Sequence, residues 1–137
     1  MNGNDKAKRA AGWVMSGLLI AFMLMDAGMK LVPLQVVIET TAGLGYPTSL
    51  GMVRGLGILA LVCTAFYAWP RTAVLGAILL TGYMGGAVAT HLRIGSPLFS
   101  HVLFGVYLGL LIWGGLYLRD PRIRALLPFR AAPYQKD

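Results

Sequence analysis

The chain has 137 residues, 57% of them hydrophobic and only 12% charged, with a net charge of +7. A soluble domain carries about 25% charged residues, so this composition excludes an ordinary water-exposed surface. The single cysteine excludes an internal disulfide, a CxxC dithiol and a cysteine-rich metal centre.

Residues 1–9 read as a basic tail, with Lys6, Lys8 and Arg9, ahead of a first apolar span over 10–29. A signal peptide begins the same way. No small-x-small cleavage site follows cleanly, however, and Asp26 and Lys30 interrupt where one is expected, so the stretch reads as an uncleaved first helix. The longest connection, 34–49, is bounded and punctuated by Pro33, Gly43, Gly45 and Pro47. Within it, Leu34–Thr41 predicts a short interfacial helix carrying Glu39. The second span, 50–69, ends at the tight turn Trp69-Pro70-Arg71, and the third, 72–90, at the turn Ile94-Gly95-Ser96-Pro97. The fourth, 98–118, stops before Asp120-Pro121, and 121–137 form a basic, proline-containing tail.

A helix crossing the hydrocarbon needs roughly 20 apolar residues, and the bilayer offers the backbone no water to bond. Each span is therefore a helix. A β-barrel is excluded because the runs are continuously apolar, without period-two alternation. The expected fold is an all-α, integral membrane four-helix bundle, up-and-down, with both termini on one side.

That side holds Lys6, Lys8, Arg9, Arg71, Arg119, Arg122, Arg124, Arg130 and Lys136, against Lys30, Arg54 and Arg93 on the other. The positive-inside bias places both termini in the cytoplasm, as expected of a bacterial inner-membrane protein. Trp13 and Trp69, near the same ends of their spans, suit an interfacial position. The basic excess is thus topological and argues against nucleic-acid binding. Membrane lipids are the expected partners, with Arg119, Arg122 and Arg124 placed to meet anionic headgroups. Small residues four apart (Gly12/Ser16, Gly51/Gly55, Gly82/Gly86, Gly105/Gly109) favour close helix packing, within one chain or in a homo-oligomer.

Each span carries an ionisable residue near its outer end: Asp26, Arg54, His91 and His101. At 1.5 Å per residue these lie roughly 25–30 Å from the basic residue at the opposite end, near the outer edge of the hydrocarbon. At 100° per residue, His101 aligns with Gly105, Leu108, Ile112 and Gly115, and His91 with Ala87, Met84, Leu80, Ala77 and Ala73. Arg54 aligns with Leu61, Ala65 and Ala68, and Asp26 with Phe22, Leu19, Met15 and Gly12. Small residues on these faces point all four inward, and the third span, small on two faces, is expected to be the most enclosed. Asp26 and Lys30, acid first and four apart, form a favourable helical pair. Arg54 has Asp26 and Glu39 as acidic candidates, and Lys30, Arg54 and Arg93 against Asp26 and Glu39 leave one surplus cation. Asp26, Lys30, Glu39, Arg54, His91, Arg93 and His101 are therefore the candidate ligand-binding set, for a headgroup, a carboxylate or a quinone carbonyl. Ion pairs that only fix helix register, a proton-linked transport path, and a metal held by His91, His101 and a carboxylate are the alternatives. No phosphate loop, HExxH, haem motif or triad occurs, so no catalytic residue and no cofactor is indicated beyond a quinone or lipid.

Pro70-Arg71-Thr72-Ala73-Val74-Leu75-Gly76-Ala77, Leu80-Thr81-Gly82-Tyr83 and Thr90-His91-Leu92-Arg93 resemble the DoxX-like family. Leu116-Tyr117-Leu118-Arg119-Asp120, the pair Asp26 and Lys30, and Gly45-Tyr46-Pro47 ahead of Arg54 fit the same pattern, over roughly residues 15–128. The resemblance implies a small four-helix membrane protein, with a role for Asp26, Lys30, Arg54, His91 and Arg93. Some relatives belong to thiosulfate:quinone oxidoreductase or to membrane complexes of the oxidative-stress response, which implies a membrane redox partner protein. The leading expectation is an accessory or binding subunit without catalysis of its own. A small-molecule binder or transporter and a plain scaffold are the other readings.

Overall fold

The computed structural model describes residues 2–32 and 34–129. Helix α1 spans Gly3–Leu31, α2 Gln35–Gly43, α3 Leu50–Ala68, α4 Ala73–Arg93, α5 Phe104–Arg119 and α6 Pro121–Leu126. A π-helical turn, Leu98–Val102, leads into α5. The described residues contain no strand. Four of these segments, Gly3–Leu31, Leu50–Ala68, Ala73–Arg93 and Leu98–Arg119, are long and apolar enough to cross a membrane.

Local chemistry sets the breaks. The Ser49 hydroxyl oxygen accepts from the Met52 amide at 3.3 Å and opens α3. Pro70 cannot continue that helix. The Thr72 hydroxyl closes the turn by donating to the Phe66 carbonyl at 2.8 Å. Asp120 accepts from the Arg122 amide at 2.9 Å and caps α6, with Pro121 in its first turn. Gly95, at φ 70°, supplies the left-handed residue of the α4–α5 turn.

The four spanning helices form a closed ring in the order α1, α3, α4, α5, each antiparallel to its neighbours. The core joins Leu19 and Met23 of α1, Ala60 and Tyr67 of α3, Ala77 and Leu80 of α4, and Leu108 and Ile112 of α5. Outward faces are equally apolar, with Leu18, Ile58, Ile78 and Leu110 all exposed. Such a surface is stable in lipid and not in water.

The start of α1, the α3–α4 turn and the end of α5 lie together at what is called here the basic end. The α4–α5 turn and α2 lie at the far end. Packing at the basic end is close. A Cβ on Gly12 would sit 2.7 Å from the Gly115 carbonyl oxygen and the Arg119 amide, and one on Gly76 would overlap the Tyr67 backbone. The buried Tyr67 hydroxyl donates to the Ile112 carbonyl at 2.8 Å and so accepts from Ser16 at 3.0 Å, tying α1, α3 and α5 together. Of the small-residue pairs, Gly12/Ser16 packs within the chain, whereas Gly51/Gly55 and Gly82/Gly86 face open space.

Several expectations need correction. α1 starts at Gly3, because Ala7, Lys8 and Arg9 contain no helix breaker and continue the helix beyond the apolar span. Pro121–Leu126 is a helix with Ile123 buried, where the sequence suggested only a tail; residues 130–137 lie outside the described residues. The third span is no more enclosed than its neighbours, since α3, α4 and the π-turn with α5 each bury 33% of their apolar window.

Candidate functional site

A cavity of about 760 Å³ opens at the far end and runs into the bundle beneath α2. Its walls are mainly apolar and come from all four spanning helices, with Phe22, Met23, Leu59, Cys63, Leu79 and Leu108 among them. Its polar residues are Asp26, Lys30, Tyr46, Tyr83, Thr90 and His91, together with Thr40 and Thr41 of α2. Gly82 and Gly86 form part of the wall, and a Cβ added at either would meet nothing within 4 Å.

The Lys30 ammonium bonds the Asp26 carboxylate across one helical turn. Both are largely enclosed, at 16% and 25% side-chain exposure, so the pair leaves the cavity electrically neutral. Thr90 donates its hydroxyl to the Gly86 carbonyl at 2.8 Å, so Tyr46 is the donor in the 3.0 Å bond between them. His91 Nδ1 is bonded to Ser96 Oγ at 2.9 Å, which makes Nε2 the ring nitrogen available to a ligand. The Tyr46 segment is held from outside. Arg93 Nη2 donates to the Leu44 carbonyl at 2.8 Å, beside Gly45 at φ 84°. A Cβ on Gly45 would press on that guanidinium at 2.8 Å.

Of the seven candidate residues, Asp26, Lys30 and His91 line the cavity. Glu39 is exposed on α2 and accepts from Gln35 at 2.9 Å. Arg93 is exposed and braces the loop. Arg54 points away from the bundle, on the exposed face that also carries Leu61, Ala65 and Ala68; the buried face of α3 runs through Val53, Gly57, Ala60, Cys63, Thr64 and Tyr67. Leu61, Ala65 and Ala68 are exposed, so their small or apolar character does not mark an interior face of the bundle. The Asp26–Arg54 pair is absent, and the surplus cation is not in the cavity.

His101 stacks edge-on against His91, with ring centroids 5.6 Å apart, but is itself exposed. The π-turn, with His101 and Val102 amides both bonded to the Pro97 carbonyl, rotates the register so that Val102 takes the inward position. No group of three metal-ligating side chains occurs among the described residues.

Sequence reasoning missed Tyr46, Tyr83 and Thr90, which carry no charge and so escaped a search for ionisable residues. The spacing 83, 87, 90 on α4, continuing to His91, contains the signal, since it marks one helical face.

A ring of four apolar helices around a cavity, with apolar side chains facing outward, defines a multi-pass membrane protein. Residues 14–115 match the DoxX-like family, and the chain belongs to it. No curated protein and no solved structure matches it.

Proposed function

We propose that this DoxX-like protein binds an uncharged, membrane-soluble amphiphile of the quinone class in the far-end cavity. It acts as a non-catalytic binding subunit beside a quinone-linked redox enzyme of the bacterial inner membrane. The observation that carries this reading is a large apolar cavity with a neutral polar corner. Its volume falls in the range of roughly 300–1,000 Å³ that suits small ligands. An anion would face an ion pair already satisfied within itself. A ring carbonyl or hydroxyl, by contrast, finds hydrogen-bonding partners in Tyr83 and His91 and apolar wall for its ring and tail. The positive-inside rule puts the basic end in the cytoplasm and the cavity near the outer face.

The test is titration of the purified protein in nanodiscs with a short-chain benzoquinone. Saturable binding is expected, weakened about tenfold or more, roughly 1.4 kcal/mol, by Gly86→Leu. Its Cβ enters open space, so the variant is expected to keep the parent's melting temperature. Undiminished binding by Gly86→Leu, or none by the parent, refutes the site. Copurification from mild detergent tests the partner, and repeated recovery without any redox protein refutes that half alone.

A further inference from the structure

The basic end holds a second cavity, of about 580 Å³, separate from the first. At its wall Arg119 is 9% exposed, close to complete burial for the longest of the cationic side chains. A charge removed from water needs an opposite charge or a full set of hydrogen bonds. Arg119 has neither. Its guanidinium lies 4.3 Å from the Trp13 ring centroid and 5.1 Å from that of Tyr67, and Nη2 makes one long bond, 3.4 Å, to the Tyr67 carbonyl. Nη1 is buried with no partner among the described residues. Aromatic faces attract a cation by about 0.5–2 kcal/mol but do not neutralise it.

The rest of the lining deepens the imbalance. Arg9, Arg122 and Arg124 join Arg119, and only Asp5 and Asp120 oppose them. Neither carboxylate forms an ion pair among the described residues, where the one such pair is Lys30–Asp26. Asp120 is engaged in capping α6. Every cation in the lining is an arginine, although Lys6 and Lys8 lie on the same turn of α1 as Arg9. Planar guanidiniums match the oxygens of a phosphate two at a time, whereas ammonium groups do not. Of the lining, Pro70 and Ala73 alone fall within residues 14–115, so this cavity is built almost wholly from parts of the chain outside the family match.

We infer that the basic-end cavity is a phosphate-binding site, with Arg119 as its buried anchor and Arg9 and Arg122 at its rim. A lipid headgroup or a soluble phosphate compound carries the same chemistry. The cavity lies at the helix ends beside Trp13, at headgroup depth, and a phospholipid is the source this position favours.

The experiment uses the full chain in phosphatidylcholine nanodiscs with and without phosphatidylglycerol, following melting temperature and the lipid retained in native mass spectrometry. Preferential retention of phosphatidylglycerol is expected, roughly tenfold, and lost in the double variant Arg9→Gln/Arg122→Gln. Both positions are exposed, so the variant folds. The control double variant Lys8→Gln/Arg71→Gln removes equal charge from the same end, outside the cavity, and keeps the preference. A parallel arm titrates inorganic phosphate into phosphatidylcholine nanodiscs; protection that depends on Arg9 and Arg122 supports the site with a soluble source. Equal loss in both double variants reduces the effect to general surface attraction and overturns the proposal. So does the absence of any response to either phosphate source, or full preference in a folded Arg119→Gln variant.

Discussion

The two ends of this bundle use the same four helices in opposite ways. At the basic end the helices touch through Gly12, Gly76 and Gly115, Tyr67 ties three of them together, and Arg119 has no counter-charge among the described residues. At the far end the helices part around a cavity, Gly82 and Gly86 of its wall face empty space while Gly57 and Gly105 still pack against α1 and α4, and the one ion pair among the described residues is internally satisfied. Close packing and charge balance are thus separate properties in this fold. A glycine lets two backbones meet in one place and leaves a gap in another, depending on whether its helix face has a neighbour. The basic end ties three helices through one buried tyrosine, and the cavity wall at Gly82 and Gly86 is where the far end has room for an added methyl.

The strongest challenge to that contrast is Tyr67→Ala. The side chain is fully buried and its hydroxyl serves Ser16 and Ile112. Emptying a buried aromatic site costs about 3–5 kcal/mol, and the lower figure applies because lipid is as apolar as the core. Tyr83→Ala merely widens an existing cavity and should cost less. Unfolding in a graded denaturing detergent reads both; equal losses would show that the far end is as tightly coupled as the basic end.

A smaller effect separates the glycines. Gly76→Ala forces a methyl into the Tyr67 backbone and is expected to cost about 1–3 kcal/mol as overpacking. Gly82→Ala meets nothing and gains helix propensity, so it should be neutral or stabilising by up to about 1 kcal/mol. Melting temperatures of the two variants in one detergent decide this, and a destabilised Gly82→Ala would mean that the far-end gap is filled in the working protein.

The spans, their order and the short helix after Pro33 are legible in the sequence because hydropathy and proline act locally. The candidate site is legible only where helix phase survives to the end of a span. Asp26 and His91 lie on uninterrupted helices, and both reach the cavity. His101 does not, because one π-turn after Pro97 shifts the phase. Residue type alone places Arg119 among the topological charges. Yet it continues the inward series Gly105, Leu108, Ile112, Gly115 by four residues, and all of these are buried. Helix phase was the better guide there than residue type.

Arg54 offers the finest test of the comparison, because sequence and structure assign it different surroundings. Paired with Asp26 inside the cavity, it would leave a buried carboxylate stranded when neutralised. On the outward face of α3, exposed and with no partner among the described residues, it has nothing to lose. Arg54→Gln is therefore expected to change stability by no more than about 0.5 kcal/mol, the usual size for a surface site, and to leave benzoquinone affinity at the parent value. A loss of affinity without a loss of stability would move Arg54 into the site and make the far end cationic, which would turn its preferred ligand from a neutral ring to an anion.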